Sequence, residues 1–415
     1  MWGQGVLGIA GFLGVAWICS ENRREIAPLP ILVGLAAQFA VALALLKFAV
    51  LQIPFLALGR AVDALAAATR AGTAFVFGYV GGGPPPFVAD HPENGFVLAF
   101  QALPMVLVIT ALSAVLYHWR ILPFIVRMLA VPLRRFMGLG GATGISAAAM
   151  PFLGMVESPL LIRPYLDGLR RADLFILMTG GMATIAGTMM VLYATFLKAV
   201  VPNPITHLLT ASMISIPAAI TIARVMVPAT AIADDADGTP PSHYHGTMDA
   251  LMTGTMDGVR ILAGIVAVLI VAVSLVHLAD GGLGLLSAVD GHPLTLQRIF
   301  GWLMAPAAWG MGVDWGQAQT AGALLGTKTV LNEMLAYLDL ARLAPESLSE
   351  RSRLIMTYGL CGFSNFGSLG ILVGGLTAMA PQRRAEIIRL GPRAMLAGTL
   401  ASCLTGAVAG LVIGI

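Results

Sequence analysis

Long runs of apolar residues alternate with short polar segments along most of the chain, and this pattern predicts membrane-spanning helices. A spanning helix needs about 20 mostly apolar residues. Eight segments come close to that length, with approximate bounds 4–20, 30–52, 96–118, 172–199, 205–227, 259–279, 354–380 and 394–415. We therefore predict an all-α integral membrane protein with eight spans.

Four further apolar stretches are interrupted by Gly, Pro or charged residues and do not fit this count. Stretches 121–137 and 295–313 carry charged and aromatic residues at their ends, which is typical of helices that lie in the membrane interface. Stretches 142–168 and 317–338 each have the length of two half-helices. Such segments favour re-entrant hairpins, which are tolerated where they line a cavity. We refer to them as hairpin 1 and hairpin 2.

Composition supports the membrane assignment and excludes several functions. Of the 415 residues, 58% are hydrophobic and 11% are charged, and the mean hydropathy is +0.86. Soluble domains carry about 25% charged residues. The net charge of +3 is small and the basic residues are dispersed, so we expect no binding to nucleic acid. The three cysteines lie far apart without the spacing of a metal site, and we expect neither a metal nor a cofactor.

The distribution of Lys and Arg residues predicts the orientation. With the N-terminus outside, most of these residues fall on the inner side, as positively charged loops do in membrane proteins. Both termini are then outside. The first 20 residues lack a basic start, so we interpret them as a retained span rather than a cleaved signal peptide.

Two parts of the chain follow the same order of elements: an interfacial stretch, a hairpin, an interrupted helix and a further span. The helices are interrupted by Gly-rich segments at 179–188 and 361–370. Hairpin 1 follows an inside segment and hairpin 2 an outside segment, so the repeat is inverted. Inverted repeats with paired interrupted helices indicate a secondary transporter and locate its substrate site. The resulting parts are a largely scaffold region at 1–118, a first repeat at 119–227, a cytoplasmic loop with span 6 at 228–294, and a second repeat at 295–415.

Sequence motifs for ATP hydrolysis and for common hydrolytic chemistry are missing from the chain. Nothing matches GxxxxGK[ST], GxSxG or HExxH. We therefore expect transport energised by an ion or substrate gradient, and no enzymatic activity.

Two carboxylates lie inside the apolar hairpins, Glu157 in hairpin 1 and Glu333 in hairpin 2. Ionisable groups at membrane depth are costly and are functional candidates by default. The alternative is an ion pair with Arg163 or Lys328 that merely fixes the hairpin.

The interrupted helices supply further polar candidates. The second one holds Ser364, Asn365 and Ser368 among glycines, and an Asn amide suits vicinal hydroxyls because it has both donors and an acceptor. The first one holds Thr184 and Thr188. The alternative for both is packing between helices through small residues.

At these motifs the sequence resembles the concentrative nucleoside transporter family. The matching stretches are 71–82, 146–166, 180–188, 326–337 and 362–376. The resemblance implies a homotrimer whose protomers each have eight spans, three interfacial helices and two re-entrant hairpins, working by an elevator movement. The short N-terminal part and the lack of extra spans favour a bacterial inner membrane.

The resemblance also implies a ribose site. Family members hold the sugar with the hairpin 2 glutamate and with the Asn and Ser of the second interrupted helix, which here are Glu333, Asn365 and Ser368. Phe363, in the same stretch, is a further candidate for substrate contact. A carboxylate accepts strong, charge-assisted bonds from sugar hydroxyls.

Hairpin 1 departs from the family pattern in the residues that face the nucleobase. Family members usually have Gln and Thr or Ser before the glutamate, whereas this chain has Met155 and Val156 before Glu157. Met189 also replaces a residue that is typically smaller. Since only Glu157 remains polar, we expect weak discrimination between bases or a preference for a different apolar group.

The implied cation site departs from the pattern as well. Thr184 is kept, and Leu153 and Ile185 can offer carbonyls, but Met150 stands where sodium-coupled members have Asn. Sodium is a hard cation and a thioether is a poor ligand for it. We therefore predict proton coupling, with Glu157 or Glu333 as the carrier; the sequence does not choose between the two.

The leading hypothesis is a proton-coupled importer of nucleosides or nucleoside-like compounds. An alternative keeps the transporter fold but changes the cargo to another sugar-bearing metabolite, a modified nucleoside or a nucleoside antibiotic. A third hypothesis is a membrane protein that binds such a ligand as a sensor without transporting it.

Overall fold

The computed structural model describes residues 2–87, 95–228, 244–286, 288 and 293–414, and these are helical or lie in turns and loops, with no strand among them. Most of the predicted cytoplasmic loop, residues 229–243, lies outside the described residues. The α-helices are α1 Trp2–Ile18, α2 Pro28–Lys47, α3 Ala49–Phe77, α4 Leu98–Gln101, α5 Met105–His118, α6 Ile121–Met137, α7 Gly141–Leu153, α8 Glu157–Leu160, α9 Arg171–Ala183, α10 Gly187–Leu197, α11 Pro204–Met226, α12 Thr247–Leu283, α13 Leu296–Gly310, α14 Trp315–Val330, α15 Glu333–Arg342, α16 Glu350–Gly359, α17 Phe366–Met379 and α18 Arg384–Ile413. Short 3-10 helices cover Arg23–Glu25, Gly78–Gly81, Arg163–Tyr165, Pro345–Ser347 and Pro381–Arg383.

Six helical segments of the described chain are long and apolar enough to cross a membrane, and each overlaps a predicted span. They are Pro28–Lys47, Leu98–His118, Arg171–Leu197, Pro204–Met226, Thr247–Leu283 and Pro381–Ile413. The predicted first span corresponds to α1, which is apolar but has 17 residues. The predicted span 354–380 is divided between α16 and α17. The chain is a multi-pass membrane protein.

The order of helices is the same in two parts of the chain. A helix (α6 or α13) precedes a pair (α7 and α8, or α14 and α15), then a broken helix (α9 and α10, or α16 and α17), then a long helix (α11 or α18). Hairpin 2 has two full arms, whereas the second arm of hairpin 1 shrinks to the four residues of α8. Pro159 and Pro164 lack the backbone N–H that a helix needs, which accounts for the short arm.

The centre of the molecule is formed by α9, α11 and α18, whose side chains are mostly buried. Ser215 of α11 and Thr405 of α18 share a hydrogen bond of 3.0 Å in this core. Apolar packing alone gives helices little drive to associate in lipid, so small residues and hydrogen bonds between helices fix their contacts. By contrast, α12 exposes large apolar side chains such as Val271, Leu275 and Leu278, as a helix facing lipid or a neighbouring protomer does.

A close crossing joins the start of the chain to the second repeat. A Cβ atom at Gly8 of α1 would overlap the carbonyl of Gly310 at the end of α13, so the two backbones meet where neither has a side chain. Gln4 donates through Nε2 to the carbonyls of Trp309 (2.6 Å) and Val313 (2.8 Å). The Trp309 carbonyl also accepts from the N–H of Gly312 at 2.8 Å, so the Gln4 amide adds a second hydrogen bond there and joins α1 to the residues at and just after the end of α13.

A cluster of charges ties together the polar ends of several helices. Glu21, after α1, pairs with Arg171 at 2.7 Å and also with Arg393. Arg171 reaches Glu386 at 3.2 Å, and Glu386 binds Arg383 at 2.7 Å. These arginines belong to the set whose positions predicted the inner side. The cluster therefore links α1, α9 and α18 at one end of the bundle.

Replacing Glu21 by Gln is expected to lower the stability of the purified protein near neutral pH by about 1 kcal/mol, the upper range for exposed ion pairs. The hydrogen bond from Arg171, aided by the charges of Arg171 and Arg393, lowers the pKa of Glu21 below its ordinary value of 4.5. A lowered pKa contributes stability above the ordinary pKa and loses it as the pH falls through the folded-state value. Thermal unfolding measured as a function of pH should therefore show that the difference in stability between the unaltered protein and Glu21→Gln disappears in acid. Glu25→Gln is the control, and a difference in stability that persists in acid would contradict the role of the Glu21 charge.

Candidate functional site

Glu333 is the first residue of α15 and lies buried where hairpin 2 meets both broken helices. Its Oε1 accepts a hydrogen bond of 2.6 Å from the Tyr193 hydroxyl of α10. Its Oε2 accepts one of 2.9 Å from Nδ2 of Asn365. Hairpin 2, the first broken helix and the second broken helix thus converge on one carboxylate.

The orientation of the Asn365 amide follows from its place at the start of α17. Asn365 is the N-cap residue of that helix, and its Oδ1 accepts a 2.7 Å bond from the backbone N–H of Ser368. Asn is among the preferred residues there because its side chain satisfies a free N–H of the first turn. With the oxygen so used, the NH₂ group points to Glu333, and one of its two hydrogens remains for a ligand.

The structure therefore brings together three of the residues singled out by the sequence, Glu333, Asn365 and Ser368. Phe363 and Ser364 lie in the same break, and both are buried. The Ser364 hydroxyl has no hydrogen-bond partner among the described residues. A buried polar atom without a partner is uncommon and suits a position that a ligand completes.

Tyr193 is a member of the cluster that the sequence did not reveal. It is fully buried, and its ring lies 5.0 Å from that of Tyr337. In the sequence it stands in the apolar stretch VLYATFL, where a tyrosine resembles an ordinary core residue. A buried tyrosine hydroxyl nearly always finds a partner, and that rule is the one signal that could have drawn attention to it.

Glu157 begins α8 and faces a separate cavity of about 370 Å³, whose lining does not include Glu333. The other polar residues of its lining are Thr110, Ser113 and Tyr117 of α5, the predicted candidate Thr188 of α10, Tyr244 in the loop before α12, and Thr253 and Asp257 of α12. The charge of Asp257 acts on Glu157 across this cavity. The Asp257 carboxylate pairs with Arg260 at 3.2 Å.

Neither hairpin carboxylate forms an ion pair with another described residue, so the purely structural alternative of a pair with Arg163 or Lys328 is not realised. Hairpin 1 is instead held by two serines. Ser158 of α8 shares a 3.1 Å hydrogen bond with the hydroxyl of Ser146 in α7 and also donates to the Ser146 carbonyl. Glu157 is therefore left open to the cavity.

The side chains that replace the family's base-facing residues pack against glycines. A Cβ atom at Gly181 would lie 2.9 Å from Met155, and one at Gly375 would lie 2.9 Å from Val156. Met155 and Met189 are buried, whereas Val156 is partly exposed.

The residues of the predicted degenerate cation site lie around the first helix break. Met150 is buried, and its sulfur lies 2.5 Å from a Cβ atom built at Gly180. The Thr184 hydroxyl donates to the Gly180 carbonyl at 2.9 Å, and Ile185 is buried beside it. Leu153 lines the Glu157 cavity instead. Elsewhere in the described chain, no group of three or more His, Cys, Asp or Glu side chains could hold a metal ion.

Three family profiles match the chain. They are described as "Na+ dependent nucleoside transporter N-terminus" over residues 7–80, "Nucleoside recognition" over 99–200 and "Na+ dependent nucleoside transporter C-terminus" over 207–410. Together they cover most of the scaffold region and both repeats.

Similar proteins include transporters of bacteria and animals. The "Putative nucleoside permease NupX" of Escherichia coli is 33% identical over 99% of both chains. The "Nucleoside permease NupC" of Helicobacter pylori is 30% identical over 99% of this chain and 97% of that protein. The human "Sodium/nucleoside cotransporter 1" is 30% identical over 97% of this chain and 63% of that protein.

Solved structures of a protein named CNTnw share the fold. Its inward-facing, substrate-bound state matches with a TM-score of 0.89 and 32% identity, covering 99% of this chain and 97% of CNTnw. A doubly substituted CNTnw in an outward-facing state matches with a TM-score of 0.91 over the same shares.

Proposed function

Because the chain belongs to the concentrative nucleoside transporters, a family of membrane transporters rather than enzymes, we propose that it imports nucleosides or closely related compounds by proton symport. The proposal has three parts: the ligand class, the movement and the coupling ion. The ligand class and the movement are argued from the cluster around Glu333, and the coupling ion from the first helix break.

The arrangement of Glu333, Asn365 and Ser368 carries the ligand assignment. Each oxygen of the carboxylate receives one protein donor, and a carboxylate offers about four acceptor positions in all. Two acceptor positions and one amide hydrogen therefore remain on neighbouring atoms. Vicinal hydroxyls, such as those of ribose, match that set because each hydroxyl both donates and accepts. We propose Phe363 as an apolar neighbour of the bound ligand.

The movement follows from the burial of this cluster. Glu333, Asn365 and Ser368 are 4%, 1% and 8% exposed, so a ligand reaches them only if hairpin 2 or its surroundings shift. We propose that both hairpins are re-entrant and that they move with the broken helices as an elevator against a scaffold. CNTnw, which has this fold, is known in inward- and outward-facing states. A homotrimer in a bacterial inner membrane, with both termini outside, completes the proposed arrangement.

The coupling proposal depends on the first helix break. Met150 places a thioether against Gly180, and the Thr184 hydroxyl donates to the Gly180 carbonyl. The thioether does not favour a hard cation such as sodium, which prefers several oxygen ligands, and the Thr184 hydroxyl is then the one side-chain oxygen that the predicted site keeps. A proton needs no coordination shell and can be carried by one carboxylate.

Uptake of labelled uridine and adenosine into proteoliposomes tests the ligand class and the coupling ion. We expect accumulation under an inward proton gradient and none under a sodium gradient alone, because the chain keeps hairpin carboxylates but has Met150 where sodium-coupled family members have Asn. Accumulation that requires sodium would overturn the coupling proposal.

Two other outcomes of the same experiment point to the alternative functions. No uptake under either gradient would favour the alternative cargo, which the apolar Met155 and Val156 of hairpin 1 already support. Saturable binding of labelled uridine or adenosine to the protein, without any flux into the proteoliposomes, would favour a sensor.

A further inference from the structure

Lys328, in the last turn of α14, carries a buried charge that the proposed mechanism does not use. Its side chain is 1% exposed. Within the described part of the chain it forms no ion pair, and its hydrogen bond goes from Nζ to the carbonyl of Gly359 at 3.1 Å. Burying an ammonium group is costly unless charges or dipoles compensate for it. The buried ammonium group therefore lowers the stability of the protein unless its surroundings compensate for the charge.

The end of helix α16 supplies the compensation. This helix stops inside the protein at Gly359, where the carbonyls of Thr357 and Gly359 accept no backbone N–H of the described residues and lie at the negative end of the helix dipole. Lys328 donates to the Gly359 carbonyl, and Tyr337 donates to that of Thr357 at 2.9 Å. Both donors belong to hairpin 2. The hairpin thereby fastens itself to the first half of the second broken helix.

The surroundings of Lys328 also connect it to the ligand cluster. The titratable groups that face Lys328 are the carboxylate of Glu333, in the same hairpin, and the buried, uncharged thiols of Cys361 and Cys403. Cys361 follows α16 in the break that leads to Asn365. The ammonium thus lies between the hairpin that holds Glu333 and the break that holds Asn365.

The first repeat closes its helix break without a charge. There the side chain from the hairpin's first arm is Met150, beside Gly180, and the Gly180 carbonyl accepts from the N–H (3.1 Å) and hydroxyl (2.9 Å) of Thr184. In the first repeat, a packed thioether and one hydroxyl are therefore enough to fill the helix break and to bond to its free carbonyl. The charge of Lys328 exceeds what closure of the second break requires.

We propose that Lys328 is a positioning residue, a cation built into the second repeat whose contact with Gly359 holds hairpin 2 and the second broken helix in ligand-binding register. The proposal rests on the ribose site assigned above. The ligand would touch Glu333 and Asn365, while Lys328 would fix the relation between the two elements that carry them. Its charge would also offset the negative charge of Glu333 when the cluster is closed.

Lys328→Met tests this role because it keeps a long side chain and removes the charge. We expect uridine affinity, measured by titration calorimetry on purified protein, to fall about tenfold or more, because binding must then bring hairpin 2 and α16 into register without the charged hydrogen bond that holds them together. We also expect the Tm of the ligand-free protein to stay equal or rise, because a buried charge replaced by a well-packed apolar group is often neutral or stabilising. Lys328→Arg, which keeps the charge, should lose less affinity than Lys328→Met. Lys198→Met, at an exposed lysine, is the control.

Three outcomes would overturn the proposal: an unchanged affinity in Lys328→Met, a lower ligand-free Tm in that variant, or an Arg variant as weak as the Met variant. A lowered Tm would mean that Lys328 acts as part of the core. Failure of the unaltered chain to bind uridine would overturn the ligand assignment instead. In that case the ligand-free Tm of Lys328→Met still tests whether Lys328 is part of the stabilising core, because that measurement needs no ligand.

Discussion

Replacing Glu333 by Gln is expected to lower nucleoside uptake at limiting concentration about 100-fold or more. The carboxylate accepts hydrogen bonds from Tyr193 and Asn365 and keeps acceptor positions for two ligand hydroxyls. Charge-assisted hydrogen bonds are worth about 1.5–3 kcal/mol each, so weakening two of them costs two or more factors of ten. The Gln amide would also turn an NH₂ group towards one of the two protein donors, which disturbs the cluster that binds the ligand.

The measurement is initial-rate uptake of uridine into proteoliposomes containing equal amounts of protein. Glu346→Gln is the matched control, since Glu346 is an exposed carboxylate shortly after hairpin 2 and its loss should leave uptake unchanged. A Glu333→Gln variant that transports at the unaltered rate would remove Glu333 from the ligand site. Binding measured on the same protein separates a loss of affinity from a loss of movement.

Glu333 and Asn365 could each be anticipated as functional because each is a polar residue in an otherwise apolar segment. That the two meet at one site was implied by the family resemblance. Tyr193 could not be anticipated in the same way. It occupies an apolar helix at a position where a tyrosine is ordinary, and its partner, Glu333, lies 140 residues away. Contacts at such a distance depend on packing that a local pattern does not encode.

The helix bounds show a similar limit. Helix α3 was not among the predicted elements, because Arg60, Asp63 and Arg70 interrupt its apolar pattern. The structure continues the helix through them, with Arg60 and Arg70 exposed and Asp63 paired with Lys198 at 2.7 Å. Charges on an exposed helix face do not break a helix, although they end an apolar run.

The cavity at hairpin 1 also required the structure. Asp257 lies in α12, outside either repeat, and no spacing in the sequence relates it to Glu157. Its presence distinguishes the two hairpin carboxylates. Glu333 accepts hydrogen bonds from two side chains, which suit an anion, whereas Glu157 faces another carboxylate across a cavity and, among the described residues, accepts hydrogen bonds from backbone N–H groups but from no other side chain. We therefore propose Glu157, rather than Glu333, as the carrier of the coupling proton.

Glu157→Gln is then expected to abolish accumulation driven by a proton gradient while leaving exchange of labelled for unlabelled nucleoside in place. A Gln side chain imitates the protonated, neutral carboxyl group and cannot release a proton, so the carrier can move loaded but is no longer driven by the gradient. The accumulation ratio should fall to about one, the value for a passive carrier. Asp167→Asn, at an exposed carboxylate near the end of hairpin 1, is the control and should accumulate normally. Full proton-driven accumulation by Glu157→Gln would exclude Glu157 as the carrier and shift that role to Glu333, whose two donors would then have to rearrange with each cycle.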